Sequence, residues 1–341
     1  MVWRPISLDD IDNWLELVGA IDAHDDPDQR PDRDDLIEEL INGSHKDPVR
    51  DTLIGLDRDG VARAFGHVEL LPGKTLRRVF MWGGVHPDWR GLDIGREVLR
   101  WQTERAREAL AEQEIGDDPE IARVPWRIMV NHEEKLVDRS ALCQSAGFTA
   151  IRWFHTMVRP LRDTALPIPL VALPDGLQLG HWTEELDESV RLAHNEAFAR
   201  HWGSQPRDQE AWKIWTTGHR TFRRDWSRVV LDTTERDATG RPAVAAYLSA
   251  HAFAQNWVVK GLKEGHVDLI GVRPAWRGRG LAPALLAEAM HAYVASGMDT
   301  AGLSVDTGNA SGALNLYLGM GFHVEHTSVA WALESPGASG L

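Results

Sequence analysis

Residues Val267-Asp-Leu-Ile-Gly-Val-Arg-Pro-Ala-Trp-Arg-Gly-Arg-Gly-Leu-Ala282 pass from a short apolar segment through a glycine-rich bend into a stretch dominated by Ala and Leu. That order predicts a strand, a turn and a helix, and it builds an anion site. Gly278 and Gly280 are free to take positive φ, and the first N–H groups of the helix have no acceptor within it. Those amides and the positive end of the helix dipole converge on a concavity suited to a pyrophosphate. Each dipole contact contributes roughly 0.3–1 kcal/mol, so several must act together. The spacing is not the dinucleotide GxGxxG, and no Gly-Lys-Ser/Thr follows that would make a Walker loop.

The spacing Arg277-x-x-Gly280-x-Ala282 resembles the acyl-coenzyme A loop of the GCN5-related N-acetyltransferase (GNAT) superfamily. After a predicted helix at 281–296 comes the β-branched and apolar run Ala301-Gly-Leu-Ser-Val-Asp-Thr-Gly-Asn309. Ala310-Ser-Gly-Ala-Leu-Asn-Leu-Tyr-Leu-Gly-Met-Gly-Phe322 follows, and then a predicted strand over 324–333. This resembles the second half of the same signature, in which a strand ends near an Asn, a short helix carries Leu-Tyr and a Gly-Phe closes the segment.

An internal repeat divides the 341 residues into two copies, as the length itself leads one to expect. Gly83-Gly-Val-His-Pro-Asp-Trp-Arg-Gly-Leu-Asp-Ile-Gly95 aligns with Ile270–Ala282, and Leu142–Phe148 with Leu316–Phe322. Each copy opens with a short strand and an acid-capped amphipathic helix, Val2–Ile6 with Asp9–Ala20 and Leu177–Leu179 with Glu184–Ala199. Between the copies, Arg159–Pro174 holds four prolines and reads as a linker. The resemblance implies an α/β chain of two tandem GNAT domains. Each would be a mixed, mostly antiparallel twisted sheet with splayed central parallel strands flanked by helices. Their expected bounds are 1–162, a Pro-rich linker at 163–176, and 177–341.

Composition narrows the partners. Hydrophobic residues at 43% and charged residues at 26% describe a soluble globular chain. No run of 18 apolar residues and no basic-apolar leader is present, so a cytoplasmic location away from membranes is expected. A single cysteine, Cys143, excludes an internal disulfide and a thiolate metal cluster. The net charge of −14 argues against a nucleic-acid surface and favours solubility or amine partners. No HExxH or calcium-loop spacing exists, and the tract Asp22–Asp35 reads as a solvated acidic loop. The oligomeric state is not encoded in any of these features.

The GNAT resemblance implies acetyl-CoA as the donor and a small-molecule primary amine as the acceptor, attacking the thioester directly. Cofactor-binding candidates in the second copy are Ile270, Gly271, Val272, Arg277, Gly278, Arg279, Gly280, Leu281, Ala282 and Asn309. The first three stand where pantetheine amides would pair with backbone, and a backbone N–H near Val272 is the natural oxyanion donor. Tyr317 is the candidate general acid for the leaving thiolate, or else a core tyrosine in the stripe Leu314, Tyr317, Leu318. His266 occupies the position of the family's acidic base, and Asp268, two residues on, shares its strand face and serves instead or orients it. Their structural alternatives are an exposed strand start for His266 and a salt-bridged carboxylate for Asp268. Asn309 is equally a turn residue after Gly308. Over the acceptor site, Trp212 and Trp215 read as helix packing, whereas Trp202 and His201 stay open as an aromatic wall.

In the first copy Asp93 stands in the place of Gly280, bringing a carboxylate to the pyrophosphate position and losing a glycine conformation. Cys143 replaces Tyr317 as a small buried apolar residue, and the strand Val79–Val85 carries no ionisable group. The first copy is therefore expected to be structural or to bind a ligand without turnover, with Arg90, Gly91 and Gly95 leaving residual coenzyme binding open. Tandem GNAT proteins resembling mycothiol synthase pair a degenerate first copy with an active second one. That resemblance does not carry over an acceptor, and peptide acetylation or acyl-CoA binding without catalysis remain alternatives.

Overall fold

The computed structural model describes residues 1–28, 30–42, 47–71, 73, 75–114, 123–237, 240–309 and 312–338. In chain order its strands are β1 Val2–Arg4, β2 Thr52–Leu56, β3 Ala62–Leu71, β4 Arg77–Val85, β5 Trp126–Glu133, β6 Thr149–Pro160, β7 Leu177–His181, β8 Arg228–Arg236, β9 Pro242–His251, β10 Glu264–Val272, β11 Thr300–Asp306 and β12 His323–Glu334. The helices are α1 Ile11–Asp25, α2 Arg33–Asn42, α3 Pro48–Asp51, α4 Ile94–Glu114, α5 Val137–Ser145, α6 Asp187–Ala197, α7 Gln209–Trp212, α8 Ala254–Lys260, α9 Leu281–Ala295 and α10 Ala313–Gly319.

Two compact units form. The first joins Met1–Trp153 to Thr327–Leu341, and the second is Phe154–His326. In the first, β1, β2, β3 and β4 pair antiparallel in succession, β4 and β5 pair parallel, and β5 takes residues 328–334 of β12 as an antiparallel neighbour. The second repeats the scheme: β7, β8, β9 and β10 are antiparallel, β10 and β11 parallel, and β11 takes residues 154–160 of β6.

The unit bounds differ from the contiguous halves 1–162 and 177–341. Periodicity specifies that 324–333 is a strand but not which edge it joins, because pairing is set by long-range packing. In the same way the supposed linker begins inside β6, where Arg159 is fully buried and donates from Nη2 to the carbonyls of Leu166 and Pro167.

Each unit has its own core. In the first, Trp14, Leu17, Val18 and Ile21 of α1 bury an i, i+3, i+4, i+7 stripe against Phe65, with the Trp14 and Phe65 ring centroids 5.6 Å apart. In the second, α9 is apolar on nearly every side. Leu285, Leu286, Ala289, Met290 and Tyr293 pack with Trp226, Val267 and Leu303 in one core. Pro283 in its first turn removes an N–H that has no intrahelical acceptor.

The last strand of the first unit is fastened at Arg127, which is 1% exposed and bonds Glu334 at 2.5 Å and the carbonyl of Ala338 at 2.9 Å. Ending the chain at His326 is expected to strip protection from the amides of β5. Hydrogen exchange read by mass spectrometry checks this, and unchanged protection over Trp126–Glu133 would refute the pairing.

Candidate active site

The second unit's site lies where two parallel strands part, beside a local fault in one of them. β10 and β11 pair in parallel from Glu264 opposite Thr300 to Val267 opposite Leu303. On its other edge β10 pairs with β9, but the register jumps between Val267 and Leu269, so Asp268 is bulged out. A bulge bends a strand and sharpens its twist. Beyond it β10 continues with β9 to Val272 and β11 continues with β6 to Asp306, leaving two facing edges without mutual ladder bonds. Leu269 donates its amide to Ser249 Oγ at 3.0 Å and Arg273 to the carbonyl of Ala245 at 3.0 Å, both toward β9. Amide direction alternates along a strand, so the N–H groups of Ile270 and Val272 face the opened edge. A pantetheine arm can pair there as an added strand would.

Gly271 is required by close approach. A Cβ there would lie 2.4 Å from the ring of Tyr247 and 3.2 Å from Phe198. Tyr247 cannot yield, being fully buried, stacked edge-on against Trp182 and held by His194 Nδ1 at 2.5 Å from its hydroxyl. Burial holds the Tyr247 phenol well above its ordinary range and drives His194 down to about 3.

The bend follows directly. Gly278 and Gly280 take φ of +74° and +76°, and Gly280 caps α9. The amides of Leu281 and Ala282 lie in the first helical turn and have no acceptor within it. Arg277 braces the bend: its Nε donates to the carbonyl of Val272 at 3.1 Å and its Nη2 to that of Ala197 at 2.8 Å. Arg279 returns to the carbonyl of Ala275. Thr234 Oγ1 donates to Asp232 at 2.6 Å and Trp276 Nε1 at 2.8 Å, and these bonds hold the Asp232 carboxyl down at about 2.

Tyr317 is 5% exposed on α10, within the same core cluster as Leu281 and Val305, and burial raises its phenol to about 12. It is thus both a packed tyrosine and a group that carries its proton at neutral pH. His266 is buried, not at an exposed strand start. Its Nδ1 lies 3.4 Å from Glu264 Oε1 and its ring stands edge-on to Phe253. Asp268 keeps 37% of its side chain open, since the bulge interrupts the alternation on which a face shared with His266 would rest. Asn309 lies in the turn after β11, its amide donating to the carbonyl of Asp306, while Ala310 and Ser311 of the motif lie outside the described residues.

The sequence reading missed His251 at the end of β9. It pairs with His266 across the ladder and lies 3.6 Å from Asp268 through Nε2. At α7 Trp212 is buried and stacked on Trp182, but Trp215, just beyond it, is 44% exposed, against the packing expected of it. Trp202 lies 6.2 Å from Phe154 and His201 5.2 Å from Phe198, measured between ring centroids.

An acetyltransferase (GNAT) family model matches residues 188–322, which contain this site. The mycothiol acetyltransferase of Thermomonospora curvata is 29% identical over 275 residues, spanning 80% of this chain and 78% of that protein. A GCN5-related N-acetyltransferase from Sphaerobacter thermophilus superimposes with a TM-score of 0.75 at 23% identity, over 98% of this chain and 95% of that one. A tandem GNAT protein from the clavulanic acid biosynthesis pathway gives 0.65 at 17% identity, over 98% and 99%. The chain is an acyltransferase with the tandem GNAT fold. Its fold class serves acyl transfer from coenzyme A, and its two-copy layout is like that of the tandem GNAT protein.

The first GNAT unit repeats the splay, with β4 and β5 paired only from Arg77 opposite Trp126 to Met81 opposite Val130. Its bend also keeps its shape. Asp93 takes φ of +60°, a conformation Asp tolerates better than most residues, so the left-handed turn is retained although the glycine is gone. The Asp93 carboxylate lies 3.1 Å from Arg96.

What differs is the cleft. Asp25, buried rather than solvated, accepts from Arg90 at 2.7 and 2.9 Å and pairs with Arg139 at 3.3 Å. Arg139 Nη2 would meet a Cβ on Gly84, the counterpart of Gly271, at 3.3 Å. β4 carries no ionisable group over Val79–Val85, but α1 and α5 bring Asp22, Asp25 and Arg139 to its cleft. With His132 they line a cavity of about 200 Å³. Burial raises Asp22 to about 6 and Cys143, which is 3% exposed, to about 11.

Replacing Gly271 by Val in this GNAT protein is expected to destabilise the second unit by ~1–3 kcal/mol through overpacking, read as a lowered thermal midpoint. A midpoint at or above that of the parent would contradict the contact with Tyr247. Asp232 supports stability above its unfolded pKa near 4, and this support is lost as pH falls toward 2, the sign for a depressed carboxyl. Asp232→Asn should therefore lower stability at pH 7 and leave little difference near pH 2, as denaturant titrations at the two pH values would show.

Proposed function

We propose that this chain transfers the acetyl group of acetyl-CoA to the primary amine of a small molecule, and that the second unit does the chemistry. The observation that carries the reading is the opened edge of β10. It joins a bulged, solvent-reaching carboxylate at Asp268 to the Gly278–Gly280 bend, with a protonated Tyr317 in the adjoining core. The relatives' activity as mycothiol acetyltransferases supports a small amine as acceptor.

Each residue then has a task. The amides of Gly278 to Ala282 bind the diphosphate, with Asn309 and the backbone of Ile270 and Gly271 aligning the pantetheine arm. Asp268 takes a proton from the bound ammonium, leaving a neutral nitrogen to attack the thioester carbon. The Val272 N–H donates to the carbonyl oxygen as charge gathers on it, needing no reorientation. As the carbon–sulfur bond breaks, Tyr317 gives its proton to the sulfur and regains one from the acceptor nitrogen. The raised pKa makes the phenol a stable proton reservoir at pH 7. In the first unit a guanidinium, Arg139, lies against the counterpart of Gly271 and no tyrosine stands at Cys143, so the chemistry is assigned to the second unit alone.

Full-length protein should release free thiol from acetyl-CoA when offered one or more members of a panel of amines, amino acids, amino sugars and aminoglycosides. Asp268→Asn and Tyr317→Phe should each lower kcat by roughly 10²–10⁴-fold, the range for a displaced acid or base, with acetyl-CoA affinity retained. Parent-like turnover in both variants would remove these residues from the mechanism. Loss of turnover on disabling Arg139 instead would move it to the first unit.

A further inference from the structure

Asp268, itself open to solvent at the opened edge of β10, begins a file of titratable groups that leads away from that edge. Its Oδ2 lies 3.6 Å from His251 Nε2, about 0.5 Å beyond hydrogen-bond contact. On the other side of the ring, His251 Nδ1 lies 2.8 Å from Thr221 Oγ1, and the same oxygen lies 2.8 Å from His219 Nδ1. His251 is 3% exposed and Thr221 4%, whereas His219 is only half-buried. The file thus runs from Asp268 through two buried groups to one that reaches solvent.

Its geometry is fixed from several sides. Thr221 is clamped by its carbonyl, which accepts from the Ala252 amide at 2.8 Å, and Phe222 forms a bridge to His251. Phe253 stacks on the His251 ring at 6.0 Å, and Phe222 meets it edge-on at 5.7 Å. The charged or titratable groups facing His251 are Asp268 and His266 from β10 and His219 from the loop before β8, with Glu264 reaching it through His266.

We infer that, when coenzyme and amine cover the open face of Asp268, the groups Asp268, His251, Thr221 and His219 form a proton wire that returns the base to its charged state by carrying the ammonium proton out to solvent. The assignment rests on the reading of Asp268 as the base. A threonine hydroxyl has one hydrogen, so it donates to one of its two histidine neighbours and accepts from the other. In one arrangement His219 Nδ1–H donates to Thr221, Thr221 donates to His251 Nδ1, and His251 Nε2–H points at Asp268. In the other, both histidines hold their proton on the opposite nitrogen.

When Asp268 has taken a proton, it passes it to His251 Nε2. His251 then releases its Nδ1 proton to Thr221, Thr221 releases its own to His219 Nδ1, and His219 loses its Nε2 proton to water. Each bond that breaks is matched by one that forms, and no other reactant is needed. Hydroxyl rotation and the reverse proton shift in the rings reset the file. Burial keeps His251 at about 4, so it stays neutral and able to accept in this way at neutral pH.

The test uses the full chain labelled with ¹⁵N in its histidines. Side-chain ¹H–¹⁵N spectra should show His251 neutral at pH 7 and its tautomer balance shifted by both Asp268→Asn and Thr221→Val. A charged His251, or spectra indifferent to both substitutions, overturns the wire. With acetyl-CoA and the best amine of the panel, Thr221→Val should lower kcat at least about tenfold while KM for acetyl-CoA stays within about twofold. Thr221→Ser, which keeps the hydroxyl, should recover most of the rate, and imidazole added to His219→Ala should restore part of it. Equal damage from Val and Ser would mark a packing role and sink the proposal. An inactive Asp268→Asn beside a fully active Thr221→Val rejects the wire and spares the base, whereas a fully active Asp268→Asn rejects the base itself.

Discussion

The parting of β10 from β11, with the bulged Asp268 at its start, organises the second unit. β10 keeps its hydrogen bonds to β9 on one edge while it parts from β11 on the other, and the bulge extrudes Asp268 where the two strands separate. Everything chemical follows from that divergence. It frees the amides of Ile270 and Val272, brings the chain to the Gly278–Gly280 bend, and leaves the bulged carboxylate in reach of solvent. The interior has been shaped around it, with Gly271 stripped of a side chain so that the fully buried Tyr247 can lie against the backbone.

The two units show how one backbone serves different ends. Asp93 holds the left-handed turn that Gly280 holds in the second unit, so the bend by itself does not separate them. The contrast lies in what fills the cleft. In the first unit two guanidiniums, Arg90 and Arg139, close on the buried carboxylate of Asp25. In the second, Arg277 spends its donors on backbone carbonyls and the corresponding space is left to aromatic rings and neutral histidines.

The bend was readable because its requirement is local: a positive φ at two positions and unsatisfied amides in a helix turn can be seen in Gly278, Gly280 and the Ala-Leu run behind them. Tyr317 was singled out by its resemblance to the family's tyrosine, while its i, i+3, i+4 spacing marked the buried face it occupies. The bulge was not, since Asp268 is extruded by competition between two neighbouring strands and no local signal marks it. The same blindness hid His251 and Thr221, which come together with Asp268 only through the β9–β10 pairing, although a histidine ending an otherwise apolar strand was a visible oddity. Arg139 and Asp25 lie more than a hundred residues apart in the chain, beyond any periodicity argument. The edges joined by β6 and β12 were invisible for the same reason, as pattern names a strand without naming its neighbour.

The sheet of the first unit ends with residues 328–334, whereas the second unit is one uninterrupted segment, Phe154–His326. During translation, at roughly 5–20 residues per second, the second unit therefore has its full complement of strands before the first one does. Residues 1–153 are made before 154–326 yet mature after them, waiting with an incomplete edge until residues 328–334 arrive.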